Sequence, residues 1–236
     1  MIAASGEIAV REETPSNGLT LRGRPVPTYI AVEGPIGVGK TTLARRIAET
    51  FAHELLLEEA ELNPFLERFY QNRQQTALAT QLFFLFQRVQ KITELKQRDM
   101  FDQNRVADFV LEKDPLFARV NLDADEYALY QKVFEKMRVD APVPDLVIYL
   151  QANPDRLLER IEKRGIDAER LIERTYLEQL NEVYSEFFLY YDDAPLLIVN
   201  ANDIDLTRGD RDYEQLINYM LDIKKGRHYF NPTFFS

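Results

Sequence analysis

The stretch YIAVEGPIGVGKTT, residues 29–42, runs from a short apolar segment through a glycine-rich turn into the start of a helix. Tyr29 to Glu33 has the length and near-continuous apolarity of a strand buried on both faces, as in a parallel sheet. Gly34 to Thr41 satisfies G-x-x-x-x-G-K-[ST] in full, and it does so between strand and helix, where that pattern has its physical meaning. Gly34, Gly37 and Gly39 let successive backbone N–H groups curl around a phosphate without a Cβ in the way, and Pro35, Ile36 and Val38 complete the loop. The helix that follows adds its positive end. Lys40 places a cation between β- and γ-phosphates, the Thr41 hydroxyl can ligate Mg²⁺, and Thr42 closes the set at the helix start. Residues 34–42 are thus expected to hold ATP.

Outward from this loop, strand and helix patterns alternate. Leu43, Ile47 and Phe51 share one helical face, and residues 55–58 (LLLE) read as a second buried strand. A long helix is expected over 76–96. Its LFFLF centre is apolar on more than one face, which suits packing against another helix or another subunit. Residues 105–110 form a third strand in this reading, and Tyr127, Tyr130, Phe134 and Met137 line one side of the next helix. A fourth strand covers 145–150, and a helix follows it with Asn153 as cap and Pro154 at its first position. An aromatic-rich helix over 172–191, a fifth strand at 196–200 and a helix over 212–225 finish the series. Gly226 stops that helix, and the aromatic tail after it can fold back. The pattern predicts an α/β three-layer sandwich of the P-loop NTPase type, with a five-stranded parallel sheet. Residues 1–27 are polar, broken by Pro and Gly and aperiodic, so they are expected to be a flexible extension before a single domain at 28–236.

Composition narrows the function. The 236 residues carry 29 Lys+Arg against 39 Asp+Glu, a net charge of −10, which disfavours binding to nucleic acids or anionic membranes. No cysteine is present, so disulfides and thiolate–metal sites are excluded. His53 and His228 are too few for a metal site and are expected to be solvated. No apolar run reaches the roughly 20 residues that span a bilayer. The first residues also lack the basic start and apolar run of a signal peptide, so a cytoplasmic protein is expected.

A guanine-reading Asn-Lys-x-Asp is absent, which argues against a GTPase. Basic residues gather instead at 160–170, RIEKRGIDAER. Arg160 and Arg164 stand at i and i+4 on one helical face, and Gly165 permits a hinge after them. A short basic lid of this kind suits phosphoryl transfer to a small acceptor, where charge and positioning stabilise the transition state. A solvated charged helix has the same pattern.

Four further segments carry a resemblance. With EGPIGVGKTTLA come NPFLERFY shortly after Glu58, Gln81 and Arg88 within QLFFLFQR, and KRGIDAE followed by YLEQL. In that order they resemble the deoxynucleoside kinase family, particularly its bacterial deoxyadenosine/deoxyguanosine kinase-like branch, from about Tyr29 to the last strand. The resemblance implies ATP- and Mg²⁺-dependent 5′-phosphorylation of a deoxynucleoside, purine slightly preferred, by a homodimer. It makes Glu58 the general base, a role worth about 10²–10⁴ in rate, with Glu59 and Glu61 as neighbouring rivals. It gives base recognition to Gln81, with Arg88 and Asp114, and the sugar 3′-hydroxyl to Tyr70 with Glu169. Phe65 would wall the pocket, Arg160 and Arg164 would clasp phosphates, and Asp108 would join Thr41 at magnesium.

The pattern also departs from the family. An acid-Arg-Ser triplet is expected where Asp108-Phe109-Val110 stands, with Lys113 a candidate replacement for the arginine. A lid arginine is replaced by Ile166, with Arg170 as a possible substitute. A nucleoside monophosphate kinase and a catalytically silent ATP-binding regulator are the rival readings.

Overall fold

The computed structural model describes residues 19–98, 104–137, 140–204 and 210–231. A short antiparallel hairpin comes first, β1 (Thr20–Leu21) with β2 (Arg24–Pro25). Then follow β3 (Tyr29–Glu33), α1 (Lys40–Phe51), β4 (Glu54–Leu56), α2 (Leu66–Gln71), α3 (Arg73–Arg98), β5 (Arg105–Ala107), α4 (Asp114–Asn121) and α5 (Ala124–Met137). The chain continues through β6 (Leu146–Gln151), α6 (Pro154–Arg164), α7 (Arg174–Tyr190), β7 (Leu196–Asn200), α8 (Asp210–Met220) and β8 (Arg227–Phe230).

The main sheet is ordered β4-β5-β3-β6-β7-β8, and every neighbouring pair is parallel. It has six strands, where five were expected. The sixth is β8, in the segment read only as an aromatic tail. At the sheet's edge it buries Phe230 while Tyr229 stays 64% exposed, so it lacks the continuous apolar run that marks an inner strand. The edge strand β4 and the inner strand β5 are each shorter than their expected spans, ending at Leu56 and Ala107. The chain therefore leaves the sheet just before Glu58 and Asp108.

Side chains alternate along the inner strands, as a period of two requires. Ile30, Val32, Ile148, Leu150, Leu197 and Val199 join the core that holds Leu43 and Ile47 of α1 and Leu216 of α8. Ala31, Val147, Tyr149, Leu196 and Ile198 face the other way, onto Tyr184 and Phe188 of α7. A third cluster joins Leu85 and Ile92 of α3 to Phe109 and to Tyr130 of α5. Asn153 caps α6 by accepting from the Arg156 N–H at 2.8 Å, and Gly165 ends that helix at φ +73°. Among the described residues no helix is long and apolar enough to cross a membrane.

Two expectations outside the site change. His53 is buried rather than solvated, its ring nitrogens lying 3.0 Å from the Phe51 carbonyl and 2.9 Å from that of Pro27. Of the stretch expected to be an extension, residues 1–18 lie outside the described residues. From residue 19 it forms the β1–β2 hairpin, whose Arg22 donates to Asn218 Oδ1 at 2.9 Å and whose Arg24 pairs with Asp222 at 3.1 Å.

Candidate active site

Strand order decides what meets at the site. β3 lies between β5 and β6, with the next strand in sequence on one side and later ones on the other, so a crevice opens at the strands' C-terminal ends. Three chain segments leave adjacent strands there: Gly34 after β3, Asp108 after β5 and Glu58 shortly after β4. They border a cavity of about 690 Å³ lined by Gly37, Lys40 and Thr41 on one side and by Glu58, Gln81 and Arg88 on the other.

The phosphate loop is tightly packed from behind. Gly37 has φ +83°, and a Cβ there would lie 2.7 Å from Ile161 Cγ1 and 2.9 Å from the Leu157 carbonyl oxygen. Gly39 precedes α1 at φ +104°, and no side chain caps the helix, which leaves its first amides to a ligand. Lys40 Nζ donates to the Pro35 carbonyl at 3.1 Å. Burial and the neighbouring Lys113 push its ammonium down to about 8, against the opposing pull of Glu33, Glu58 and Asp108. A cation at the cavity wall that desolvation disfavours is what a triphosphate would relieve.

The Thr41 hydroxyl donates to Asp108 Oδ2 at 2.5 Å, and the backbone N–H of Glu58 donates to Asp108 Oδ1 at 2.8 Å. Thr41 and Asp108 thus put two oxygen ligands at one point beside the loop. That donor set fits Mg²⁺, which takes one or two protein oxygens and completes its shell with phosphates and water. Among the described residues there is no group of three or more acidic, His or Cys side chains that would suit a metal with a full protein shell.

Glu58 lines the same cavity as the loop, with its side chain 17% exposed. Arg88 Nε donates to its Oε1 at 2.6 Å, and Lys113 Nζ stands 3.3 Å from Oε1 and 3.4 Å from Oε2. Burial alone would raise this carboxyl. The Arg88, Lys113 and Lys40 charges outweigh burial and hold it at about 2. Glu59, one of the rivals, turns to Lys91 instead.

Behind Arg88 and Gln81, outside the cavity lining, lies a fully buried acid. Asp114, with no exposed surface, pairs with Arg88 through Oδ2 and accepts from Gln81 Nε2 at 2.9 Å and from the Tyr130 hydroxyl at 2.5 Å. Burial would lower the Arg88 guanidinium, but Glu58 and Asp114 together raise it further. Tyr70 and Glu169 line the cavity too. Burial, then Tyr176 and Glu169, push the Tyr70 phenol well up, so it stays a hydroxyl donor. Thr80 Oγ1 and Asn121 Oδ1, on cavity-lining residues, are buried without a hydrogen-bond partner among the described residues. Orphaned polar atoms in a cavity wall fit a ligand that carries hydroxyls or amines.

The lid residues divide. Arg164 lines the cavity and pairs with Glu169. Arg160 instead bonds backbone carbonyls behind the loop, that of Val38 at 3.1 Å and that of Ala201 at 2.7 Å. Arg170, 61% exposed at its side chain, pairs with Asp167 and stays out of the cavity, whereas Ile166 lines it. Phe65 is absent from the lining, where Leu66, Phe69 and Tyr70 stand instead. It occupies the residue before α2, where the Arg68 guanidinium lies over its ring. Glu33 and Tyr130 were missed in the sequence. Glu33 had one available signal, a carboxylate ending an otherwise apolar buried strand.

A parallel sheet with a phosphate loop ending an inner strand defines the P-loop NTPase class. The chain belongs to the deoxynucleoside kinase family, whose pattern matches residues 30–223. It is 32% identical to a deoxyguanosine kinase of Bacillus subtilis (strain 168), covering 83% of this chain and 97% of that one. It is 29% identical to a deoxyadenosine/deoxycytidine kinase of the same strain, covering 84% and 94%. Among solved structures, deoxyadenosine kinase from M. mycoides with bound dATP superposes with a TM-score of 0.70 at 30% identity, over 81% of this chain and 98% of that one.

Proposed function

We propose that this chain transfers the γ-phosphoryl group of ATP to the 5′-hydroxyl of a deoxynucleoside, with purines slightly preferred. The observation that carries the reading is that Glu58 and the loop residue Lys40 line one cavity. The names of its relatives, kinases of deoxyguanosine and of deoxyadenosine and deoxycytidine, support the acceptor class.

In this reading the loop amides and Lys40 hold the triphosphate, and Thr41 and Asp108 hold Mg²⁺, which would neutralise phosphate charge when bound. Gln81 and Arg88 face the base, held from behind by Asp114, while Tyr70 and Glu169 face the 3′-hydroxyl. The acceptor's 5′-oxygen forms a bond to the γ-phosphorus as the bond to the β–γ bridging oxygen breaks. ADP leaves with that electron pair, and the hydroxyl proton passes to Glu58. Held well below the usual carboxylate range by Arg88, Lys113 and Lys40, Glu58 is a weak base that is ionised at neutral pH. That suits a loose transition state, in which orienting the hydroxyl matters more than early proton removal. Arg164 reaches the transferring group from the lid, and Arg160 braces the loop through Val38.

Two copies would associate through the long helix α3, where Phe86 is 47% exposed. A cytoplasmic setting suits the acidic surface. The test is a panel of the four deoxynucleosides with ATP and Mg²⁺, scored for monophosphate. Product from at least one, fastest with a purine, is expected. ATP binding with no product from any would overturn this reading, and thymidine monophosphate as acceptor would then separate a monophosphate kinase from the silent regulator.

A further inference from the structure

Two buried charges at the site have no part in the mechanism above. Glu33, the last residue of β3, has no exposed surface, and Lys113, in the turn before α4, is 2% exposed. Lys113 Nζ lies 3.2 Å from Glu33 Oε1 and within 3.4 Å of both Glu58 oxygens. Glu33 is held in turn by the Val110 N–H at 2.8 Å, the Gly34 N–H at 3.1 Å and the Tyr184 hydroxyl at 3.1 Å. We propose that Lys113, anchored by Glu33, is a positioning residue that fixes the Glu58 carboxylate relative to the phosphate loop.

The connectivity supports this. A closed circuit runs from Gly34 through Glu33 and Lys113 to the Glu58 side chain, then from the Glu58 backbone through Asp108 to Thr41 and back along the loop. Donor cradle and acceptor carboxylate are thus tied at both ends. Burying such a pair adds little stability compared with apolar side chains of equal volume, and the adjacent Phe109 and Val110 are apolar and well buried. What the pair contributes is geometry, and phosphoryl transfer depends on reacting groups held to a fraction of an ångström. The missing triplet arginine is then replaced by a cation four residues after Phe109.

The inference rests on Glu58 being the acceptor-facing base, so its test separates the two ideas. Lys113→Met, Lys113→Arg, Glu33→Gln, Glu58→Gln and the Lys113→Met/Glu58→Gln pair are assayed in the full chain with ATP, Mg²⁺ and the best deoxynucleoside. Lys113→Met is expected to lower kcat about 100-fold while KM for ATP stays within about three-fold. Lys113→Arg should recover to within about ten-fold of the unsubstituted chain, with Glu33→Gln intermediate. The double variant should be no slower than Glu58→Gln alone, because groups acting as a unit are not additive.

A Lys113→Met kcat near that of the unsubstituted chain overturns the proposal, and so do losses that multiply in the double variant. Should Lys113→Met fail to fold, Lys113→Arg and Glu33→Gln carry the same readout. Unfolding of all three would assign the pair to stability alone and also overturn it. An unsubstituted chain that phosphorylates no deoxynucleoside sinks the kinase reading itself. An active chain indifferent to Lys113→Met sinks only this inference.

Discussion

The backbone N–H of Glu58 donates to one carboxylate oxygen of Asp108, while the other oxygen accepts from the Thr41 hydroxyl. In the proposed reaction, one acid therefore sets both the place of the base and the ligand geometry beside the phosphates. Asp108→Asn keeps the size but removes the charge and one acceptor. It is expected to lower kcat by about 100-fold and to raise the Mg²⁺ concentration at half-maximal rate. A steady-state titration with Mg²⁺ checks both effects. An unchanged Mg²⁺ requirement would remove Asp108 from the metal shell.

Arg88 stands between two carboxylates that both depend on it, and Asp114 has no access to solvent. Arg88→Met leaves Asp114 with only hydrogen bonds from Gln81 and Tyr130. Breaking a buried pair from one side costs about 3–5 kcal/mol. Urea unfolding of Arg88→Met should register a loss of that order, with Arg88→Met/Asp114→Asn losing less than the single variant. Equal losses in the two would mean the ion pair is not what holds this end of the cavity.

The Lys40 ammonium, pushed down to about 8 by burial and by Lys113, gives a pH dependence of definite sign. A bound triphosphate favours the charged form, so ATP binding above pH 8 must take up a proton. Affinity for ATP should hold steady below about pH 8 and weaken as pH rises above it, measured by calorimetry in buffers of different ionisation enthalpy. In the empty protein the sign for folding is opposite. A lysine depressed in the folded state binds fewer protons than the unfolded chain between about 8 and its ordinary 10.5, so this group's contribution to stability rises with pH across that window. Proton release, rather than uptake, on ATP binding at pH 9 would contradict the assignment.

Gly37 and Gly165 share a left-handed backbone but differ in surroundings. A Cβ at Gly37 meets Ile161 and Leu157, whereas one at Gly165 meets nothing within 4 Å. Gly165→Ala should lose only the conformational cost of about 1–2 kcal/mol, with ATP affinity intact. Gly37→Ala must also move the loop off α6, so its ATP affinity should fall. Equal ATP affinity in the two variants would show that the loop accommodates the extra carbon.

The phosphate loop was legible in the sequence because its meaning is local: glycines, lysine and threonine at fixed spacing between strand and helix. Glu58, Gln81, Arg88 and Asp108 were placed through motif order, and the sheet brings all four to one cavity. The link from Lys113 through Glu33 was not legible. It joins two segments distant in sequence that meet only because β5 pairs with β3. Strand β8 escaped for another reason, since an edge strand half open to water has no continuous apolar signature. Phe65 misled because aromatic character was visible while its direction depends on where α2 begins.

The grip of Arg22 and Arg24 on Asn218 and Asp222 has a consequence for how the protein is made. Those partners lie 196 to 198 residues apart, so the hairpin stays unclasped on the ribosome until α8 and the turn after it have emerged. Contacts so distant in sequence slow folding and leave apolar sheet surface uncovered in the meantime. Early arrest of translation should therefore yield species that chaperones hold rather than a partly working enzyme.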